Sequence, residues 1–132
     1  MKSDEEIKTD VYRHIMGSQL QQAVTGTVKK TRRPHNSTKE DIVISVLANE
    51  VAQIQVATVN VNIFVSDIII ENQPEEDTIR CRDLCLLASN LFEVFHGDGF
   101  RATLLSQRVF ENTGEHPEHV INNKIEYKYL NE

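Results

Sequence analysis

A two-residue alternation from Thr58 to Val65 constrains the fold of this chain more than any other feature of its sequence. The odd-numbered positions are apolar and β-branched throughout: Val59, Val61, Ile63 and Val65. Between them stand Thr58, Asn60, Asn62 and Phe64. Because successive side chains of a β-strand point to opposite faces, this pattern predicts a strand with one dry face and one mainly polar face. We expect Asn60 and Asn62 to face solvent or a neighbouring subunit, as in antiparallel sheets with one open face.

Other extended segments are expected to pair with this strand. Four stretches predict strands by their β-branched content or their alternation: Thr27–Lys29, Asp41–Leu47, Phe100–Phe110 and Val120–Tyr129. A turn within Ala48–Ala52 is expected to join the second of these to the alternating strand as an antiparallel hairpin. The last two are expected to form a closing hairpin around the polar loop Glu111–Glu118. On the second strand of this hairpin one face carries Ile121, Ile125, Tyr127 and Tyr129. On the first strand one face carries Leu105, Gln107 and Val109.

An amphipathic helix is predicted at the N-terminus. Apolar residues recur every four positions at Ile7, Val11 and Ile15, inside a helix from Asp4 to about Gly17 that Ser3 or Asp4 can cap. A further short helical turn is expected around Leu20. His14 and His35 are expected to be surface residues.

The main helix is predicted over Glu75–His96. Its apolar residues recur at steps of three and four: Cys81, Leu84, Ala88, Leu91 and Phe95. Pro74 near the first turn and Gly97 beyond the last turn are the boundary signals. His96 is expected to complement the dipole at the C-terminal end of this helix.

These elements predict an α+β fold. The expected order is helix, three strands, helix and two strands (α-β-β-β-α-β-β), with two main helices on one face of a mostly antiparallel sheet of about five strands. The length of 132 residues matches one domain over 1–132. The apolar run Val56–Ile70 is interrupted by polar residues, unlike a membrane span, and the N-terminus lacks the apolar core of a secretory signal. We therefore expect a cytoplasmic protein.

No recognisable catalytic centre can be assembled from the sequence. The motifs GxxxxGK[ST], GxGxxG and GxSxG do not occur. Cys81 and Cys85 lie four apart in an apolar helical stripe, which favours reduced core residues over a redox pair. His116 and His119, with Glu115 and Glu118 beside them, are the best candidates for metal ligands, but their polar, Pro-containing segment favours an ordinary exposed loop. We predict no catalytic, cofactor-binding or metal-ligating residue, and hence no cofactor and no enzymatic activity.

A basic loop is the most distinctive polar feature of the chain. The chain carries a formal net charge of -6, which argues against a general nucleic-acid binder, yet Lys29–Glu40 concentrates cations. The candidate interaction loop comprises Lys29, Lys30, Arg32, Arg33, Pro34 and His35. Three interpretations of this loop are open: a solvated loop, an electrostatic contact with a protein, and a contact with DNA. The DNA contact is the weaker of the two contact hypotheses, because no aromatic residues are interleaved for base stacking.

The order of elements resembles that of small tail-completion or tail-terminator proteins of long-tailed phages. The resemblance covers nearly the whole chain and includes Arg33-Pro34 before the strand Glu40–Ser45, and the strand Gln55–Val65 with its Val59-Asn60-Val61-Asn62-Ile63-Phe64-Val65 pattern. It implies a phage- or prophage-encoded structural protein without a cofactor. In that family the domain forms a ring, commonly hexameric, that caps the tail tube and docks to head-completion proteins, in the bacterial cytoplasm and then in the virion.

Two other functions remain open from the sequence. One is a freestanding cytosolic module that binds a small ligand or one protein partner. The other is an enzyme whose residues converge only in three dimensions, with the loop of His116 and His119 as the first place to look.

Overall fold

Eight strands and three helices make up the computed structural model, which describes residues 1–114 and 116–131. In chain order the elements are α1 (Asp4–Ile15), α2 (Gln19–Ala23), β1 (Val28–Lys29), β2 (Ile42–Glu50), β3 (Ile54–Ser66), β4 (Ile68–Ile70), β5 (Gln73–Glu75), α3 (Thr78–Phe92), β6 (Val94–Gly97), β7 (Phe100–Asn112) and β8 (Glu118–Leu130). The predicted α+β class is confirmed, and the predicted order of elements is roughly that of the structure.

Six strands form one sheet in the order β1-β2-β3-β8-β7-β6. The β1–β2 pair is parallel, and the other four pairs are antiparallel. The sheet has one strand more than the predicted five because β6 adds to its edge. β4 and β5 form a separate two-stranded ribbon. Its turn uses left-handed backbone at Glu71 (φ 51) and Asn72 (φ 65), a combination typical of two-residue hairpins.

The central pair β3–β8 carries the alternation predicted from the sequence. Both strands are 13 residues long, and they pair from Ile54 opposite Leu130 to Ser66 opposite Glu118. Val59, Val61 and Ile63 are fully buried on the face that packs against the helices. Asn60 and Asn62 lie on the opposite face, where both side-chain oxygens accept hydrogen bonds from Asn122 Nδ2, at 3.2 and 2.7 Å. We call this opposite face the open face.

The helices bury their apolar sides in one continuous core with the sheet. In α1 the predicted residues Ile7, Val11 and Ile15 are fully buried, and a capping box joins Ser3 to Glu6. In α3 the core residues are Cys81, Leu84, Ala88 and Phe92. Tyr127 of β8 is also fully buried in this core and donates a hydrogen bond of 2.6 Å to Asp10 of α1, which ties the first helix to the last strand.

The main helix is shorter than the predicted Glu75–His96, because a strand precedes it and another follows it. Pro74 lies in β5, and the helix is instead capped by Asp77, whose carboxylate accepts from the backbone N–H of Arg80 at 3.1 Å. Phe95 is buried as expected, but it lies in β6 and not in the helix. Its position happens to fit the three-and-four spacing of the apolar helix residues. Gly97 ends β6 and pairs with Phe100 across the hairpin. The prediction for His96 was wrong, since it lies in β6 opposite Arg101.

Three further expectations are corrected. β2 continues to Glu50, so the turn starts later than Ala48. An irregularity in the ladder between Leu104 and Ser106 takes Leu105 out of register with Gln107 and Val109. His14 is half-buried, not a surface residue. Its ring stacks on Phe95 with centroids 3.9 Å apart, and Nε2 lies 2.7 Å from the carbonyl oxygen of Leu91.

Gly26 is required where the chain turns into β1. A Cβ there would lie 2.8 Å from both the backbone nitrogen of Asp41 and the carbonyl carbon of Glu40. Backbone atoms cannot move away from this clash without distorting the chain around them. We therefore predict that Gly26→Ala lowers the free energy of unfolding by about 2 kcal/mol in urea denaturation. Gly114→Ala is the control, because a Cβ at Gly114 meets nothing within 4 Å and should change stability by less than about 0.5 kcal/mol. Equal effects of the two substitutions would contradict this account.

Candidate functional site

The candidate interaction loop is divided by the structure into exposed and internal cations. Lys29, Arg32, Pro34 and His35 are exposed. Lys30 is half-buried, with Nζ 3.3 Å from Thr9 Oγ1 and 5.3 Å from the centre of the Tyr12 ring. A contact with a partner stays a prediction for this loop, and the exposed residues are the ones available for it.

Arg33 does not fit the expectation of an exposed loop, because its guanidinium is held inside the molecule by two carboxylates. Nε donates to Asp41 at 2.8 Å and Nη1 donates to Glu118 at 2.6 Å. Those two side chains are only 1% and 6% exposed. The guanidinium also lies over the Phe64 ring, 4.4 Å from its centroid, and donates to the Lys39 carbonyl at 2.6 Å. Arg33 therefore fastens the loop to the end of the open face.

The Asp41 carboxylate is the buried anchor of this cluster. Burial raises its pKa, but hydrogen bonds from the Ser37 hydroxyl, from Arg33 and from the Thr27 backbone N–H outweigh burial. The net result is a pKa below the ordinary value for aspartate. Asp41 is therefore ionised at neutral pH, as the ion pair with Arg33 requires.

The histidine loop does not assemble a metal site in the part of the chain that the structure describes. His119 Nδ1 lies 2.7 Å from Asp67 Oδ1, and His116 Nε2 lies 2.8 Å from Ser66 Oγ. Glu118 lies on the open face with Arg33, whereas its neighbour His119 points to the other face, so the two do not converge. Glu115 lies outside the described residues. Among those described, no group of three or more His, Cys, Asp or Glu side chains could hold a metal ion.

The two cysteines are free thiols on α3, Cys81 buried and Cys85 half-buried. Burial, together with the nearby Glu76 carboxylate, raises the pKa of Cys81 to about 12. The same causes raise the pKa of Cys85. Both thiols are thus protonated at neutral pH, which disfavours nucleophilic or redox chemistry and fits the predicted role in packing.

The β4–β5 ribbon is a candidate contact surface that the sequence analysis missed. Its three consecutive isoleucines, Ile68, Ile69 and Ile70, are all exposed, Ile69 by 67%. Three isoleucines outside the core are costly to leave in water. The signal for it in the sequence is the end of the apolar run Val56–Ile70. We call residues Ile68–Glu75 the isoleucine ribbon.

An unpaired strand edge lies at the same end of the sheet as this ribbon. β6 pairs only with Phe100–Thr103 of β7, so the outer edge of β7 has no strand beside it from Leu104 to Asn112 in the described structure. Leu105, Val109 and Phe110 are exposed along this segment. Exposed apolar edge strands readily pair with another chain.

A second apolar surface occupies the opposite end of the sheet. Val51, Ile54 and Leu130 are each more than half exposed, and Ile54 pairs directly with Leu130. We call these three residues the turn patch. A shallow depression of about 440 Å³ adjoins it, lined in part by Ile54, Phe100 and Leu130. The chain thus carries two apolar surfaces separated by the length of the β3–β8 pair.

Comparisons with known proteins leave the family open, since no family model matches the chain and no curated protein matches it. None of the helices in the described ranges is long and apolar enough to cross a membrane.

Arg33 and its neighbour Arg32 allow a direct test of the buried cluster. We predict that Arg33→Met lowers the free energy of unfolding by about 3 kcal/mol, because it leaves the Asp41 and Glu118 carboxylates buried without a cation. Arg32→Met removes the same charge from an exposed position and should cost less than about 0.5 kcal/mol. Urea denaturation at pH 7 measures both, and similar losses for the two variants would refute the role given to Arg33.

The depressed pKa of Asp41 also predicts a pH dependence. As the pH falls, Asp41 takes up a proton near pH 4 in the unfolded chain and only at a lower pH in the folded chain. The stabilisation that the ionised carboxylate contributes is therefore lost as the pH falls through the lower, folded pKa. Asp41→Asn should therefore be less stable than the parent at pH 7, with the difference shrinking below about pH 4. Asp98→Asn, at an exposed position, should parallel the parent protein. A difference between Asp41→Asn and the parent that stays constant from pH 7 to 3 would contradict the assignment.

Proposed function

We propose that this chain is a non-enzymatic assembly subunit that forms a ring, as its resemblance to phage tail terminators implies, and that head-to-tail contacts between copies build the ring. The observation that carries the proposal is the pair of exposed apolar surfaces, the isoleucine ribbon and the turn patch, at opposite ends of one sheet. Surfaces of this kind on soluble proteins mark sites of association.

The separation of the two surfaces favours a head-to-tail contact. In a two-fold dimer in which the ribbon meets the ribbon, or the turn patch meets the turn patch, the other apolar surface stays exposed. When the ribbon of one copy packs on the turn patch of the next, both surfaces are covered in every copy. Contacts of this type close into a ring when the rotation between copies allows it.

The charged groups around the isoleucine ribbon also affect which surface it can contact. Asp67, Glu71, Glu75, Glu76 and Asp77 make the segment around the ribbon acidic, and no lysine or arginine occurs between Asp67 and Asp77. The interaction loop lies at this same end of the sheet, where Ser66 Oγ donates to the Thr38 carbonyl at 2.8 Å, so its exposed cations Lys29 and Arg32 are remote from the turn patch. Charges at an interface steer association and select the partner more than they add affinity, so the acidic segment disfavours an acidic neighbouring surface.

In this role the ring caps the tail tube and offers a docking surface to head-completion proteins, first in the cytoplasm of the bacterial host and then in the virion. The absence of a cofactor is part of the proposal. The projecting ribbon and the unpaired edge of β7 support it, because both expose groups that a neighbouring subunit can cover.

Ile69 provides the test of self-assembly. We predict rings for the parent protein at high concentration, and monomers for Ile69→Lys, because a lysine ammonium cannot be buried in an apolar contact. Leu86→Lys is the matched control, since Leu86 on the outer side of α3 is 63% exposed and Ile69 is 67% exposed. Multi-angle light scattering and negative-stain microscopy give the readout. A monomeric parent, or rings that survive Ile69→Lys, would defeat the proposal.

Mixing two variants tests whether the ribbon of one copy packs on the turn patch of another. Ile54→Lys destroys the turn patch and keeps the ribbon, whereas Ile69→Lys does the reverse. Each variant alone should be monomeric, while an equimolar mixture should form a heterodimer through the one intact pair of surfaces. No heterodimer in the mixture would show that the two surfaces do not meet each other.

A further inference from the structure

The open face of the sheet concentrates positive charge in an acidic protein. Register places five cations on it: Lys29, Arg101, Arg108, Lys124 and Lys128. Lys124 lies opposite Asn60, Arg108 opposite Asn122, and Arg101 opposite Lys128. Three carboxylates stand on the same rows, Glu50, Glu118 and Glu126, and Glu118 is paired with Arg33. The net charge of the whole chain is -6, so its acidic groups lie mainly elsewhere.

These cations are largely unneutralised. Within the described ranges, only Lys128 among them forms an ion pair, with Glu126 at 3.4 Å. Several cations elsewhere are paired, such as Lys2 with Asp10 at 3.1 Å and Arg80 with Glu40 at 2.6 Å. A set of unpaired cations on one face of a sheet is the arrangement expected for contact with an anionic partner.

The centre of the open face adds uncharged hydrogen-bonding groups between the cations. Asn122 Nδ2 donates to the side-chain oxygens of Asn60 and Asn62, at 3.2 and 2.7 Å. The Nδ2 groups of Asn60 and Asn62 have no acceptor among the described residues and can therefore donate outward. The hydroxyls of Thr58, Thr103 and Ser106 lie on neighbouring positions of the same rows. Side chains of these types, with Arg and Lys, make most contacts to phosphate oxygens.

We propose that the open face binds the phosphate backbone of double-stranded DNA without sequence preference. From Asn122 to Lys128 the face extends about 20 Å along β8, and from β1 to β7 it extends about 19 Å across the strands. Because duplex DNA carries one charge per roughly 1.7 Å of its axis, a stretch of this length offers enough phosphates for all five cations. This site goes beyond the assembly role and does not require a ring.

Two features favour duplex DNA over other anionic partners. A protein interface usually has an apolar centre, whereas the centre of this face is built from amides, hydroxyls and cations. Single-strand binders stack bases on aromatic side chains. The two phenylalanines of this face, Phe64 and Phe110, both pair with Val120 at its end, and the Arg33 guanidinium lies over Phe64.

Salt dependence of binding provides the test. Fluorescence anisotropy with a labelled 24-base-pair duplex measures affinity between 50 and 300 mM NaCl for the full chain. Replacing Arg108 and Lys124 together by Gln should lower the slope of log K against log salt by about 2 and weaken binding at 50 mM by about a hundredfold. Replacing Arg101 and Lys128 together by Gln is a second, independent pair with the same expectation. Arg13→Gln with Arg82→Gln is the control, because it removes two exposed cations from the helices and should leave the slope unchanged.

Each alternative outcome overturns the proposal. No binding of the parent protein at 50 mM NaCl would do so, as would equal losses for the face pairs and the helix pair. Tighter binding of a poly-glutamate peptide than of the duplex would assign the face to an acidic protein. Tighter binding of the single strand would assign it to unpaired bases. The DNA assay is separate from the ring assay, because the substitutions on the face leave the isoleucine ribbon and the turn patch intact.

Discussion

One-sided burial of the β3–β8 pair is the constraint on which the rest of the structure depends. Val59, Val61 and Ile63 on β3 and Ile121 and Ile125 on β8 are fully buried on the same face, so the helices must lie there. The other face is thereby left open with amides and cations. A shift of one residue in register would exchange the two faces, which makes this pairing strongly specified. The core, the open face and the two ends of the sheet are thus consequences of a single alternating pattern.

At one end of the open face, Arg33 holds the loop over Phe64. This arrangement pairs a half-buried cation with two buried carboxylates, which adds little net stability but penalises any conformation that separates them. It also separates the loop into two parts. Arg33 and Lys30 hold it in place, while Lys29 and Arg32 stay exposed beside the sheet.

Periodicity was enough to predict the fold. Each apolar stripe identifies the side of its element that faces the core, whichever way the elements pack: Ile7, Val11 and Ile15 on the helix, and Val59, Val61 and Ile63 on the strand. The two ends of α3 could not be predicted, because Phe95 satisfies the helical spacing from a strand and Pro74 suits an edge strand as well as a first helical turn. The local sequence does not show that Arg33 is held inside the molecule and Arg32 is exposed, because the buried partner Glu118 of Arg33 is 85 positions away. The exposure of Ile68–Ile70 depends on where the ribbon projects, which no local pattern encodes.

In the proposed ring both ends of the sheet contact neighbouring copies. Hydrogen–deuterium exchange of dilute and concentrated protein distinguishes the two ends, because the backbone amides report on each end separately. We expect slower exchange on concentration in two segments, the isoleucine ribbon and residues 51–54 of the turn patch, with the outer side of α3 unchanged. Exchange rates that do not depend on concentration, or protection confined to one end of the sheet, would contradict it.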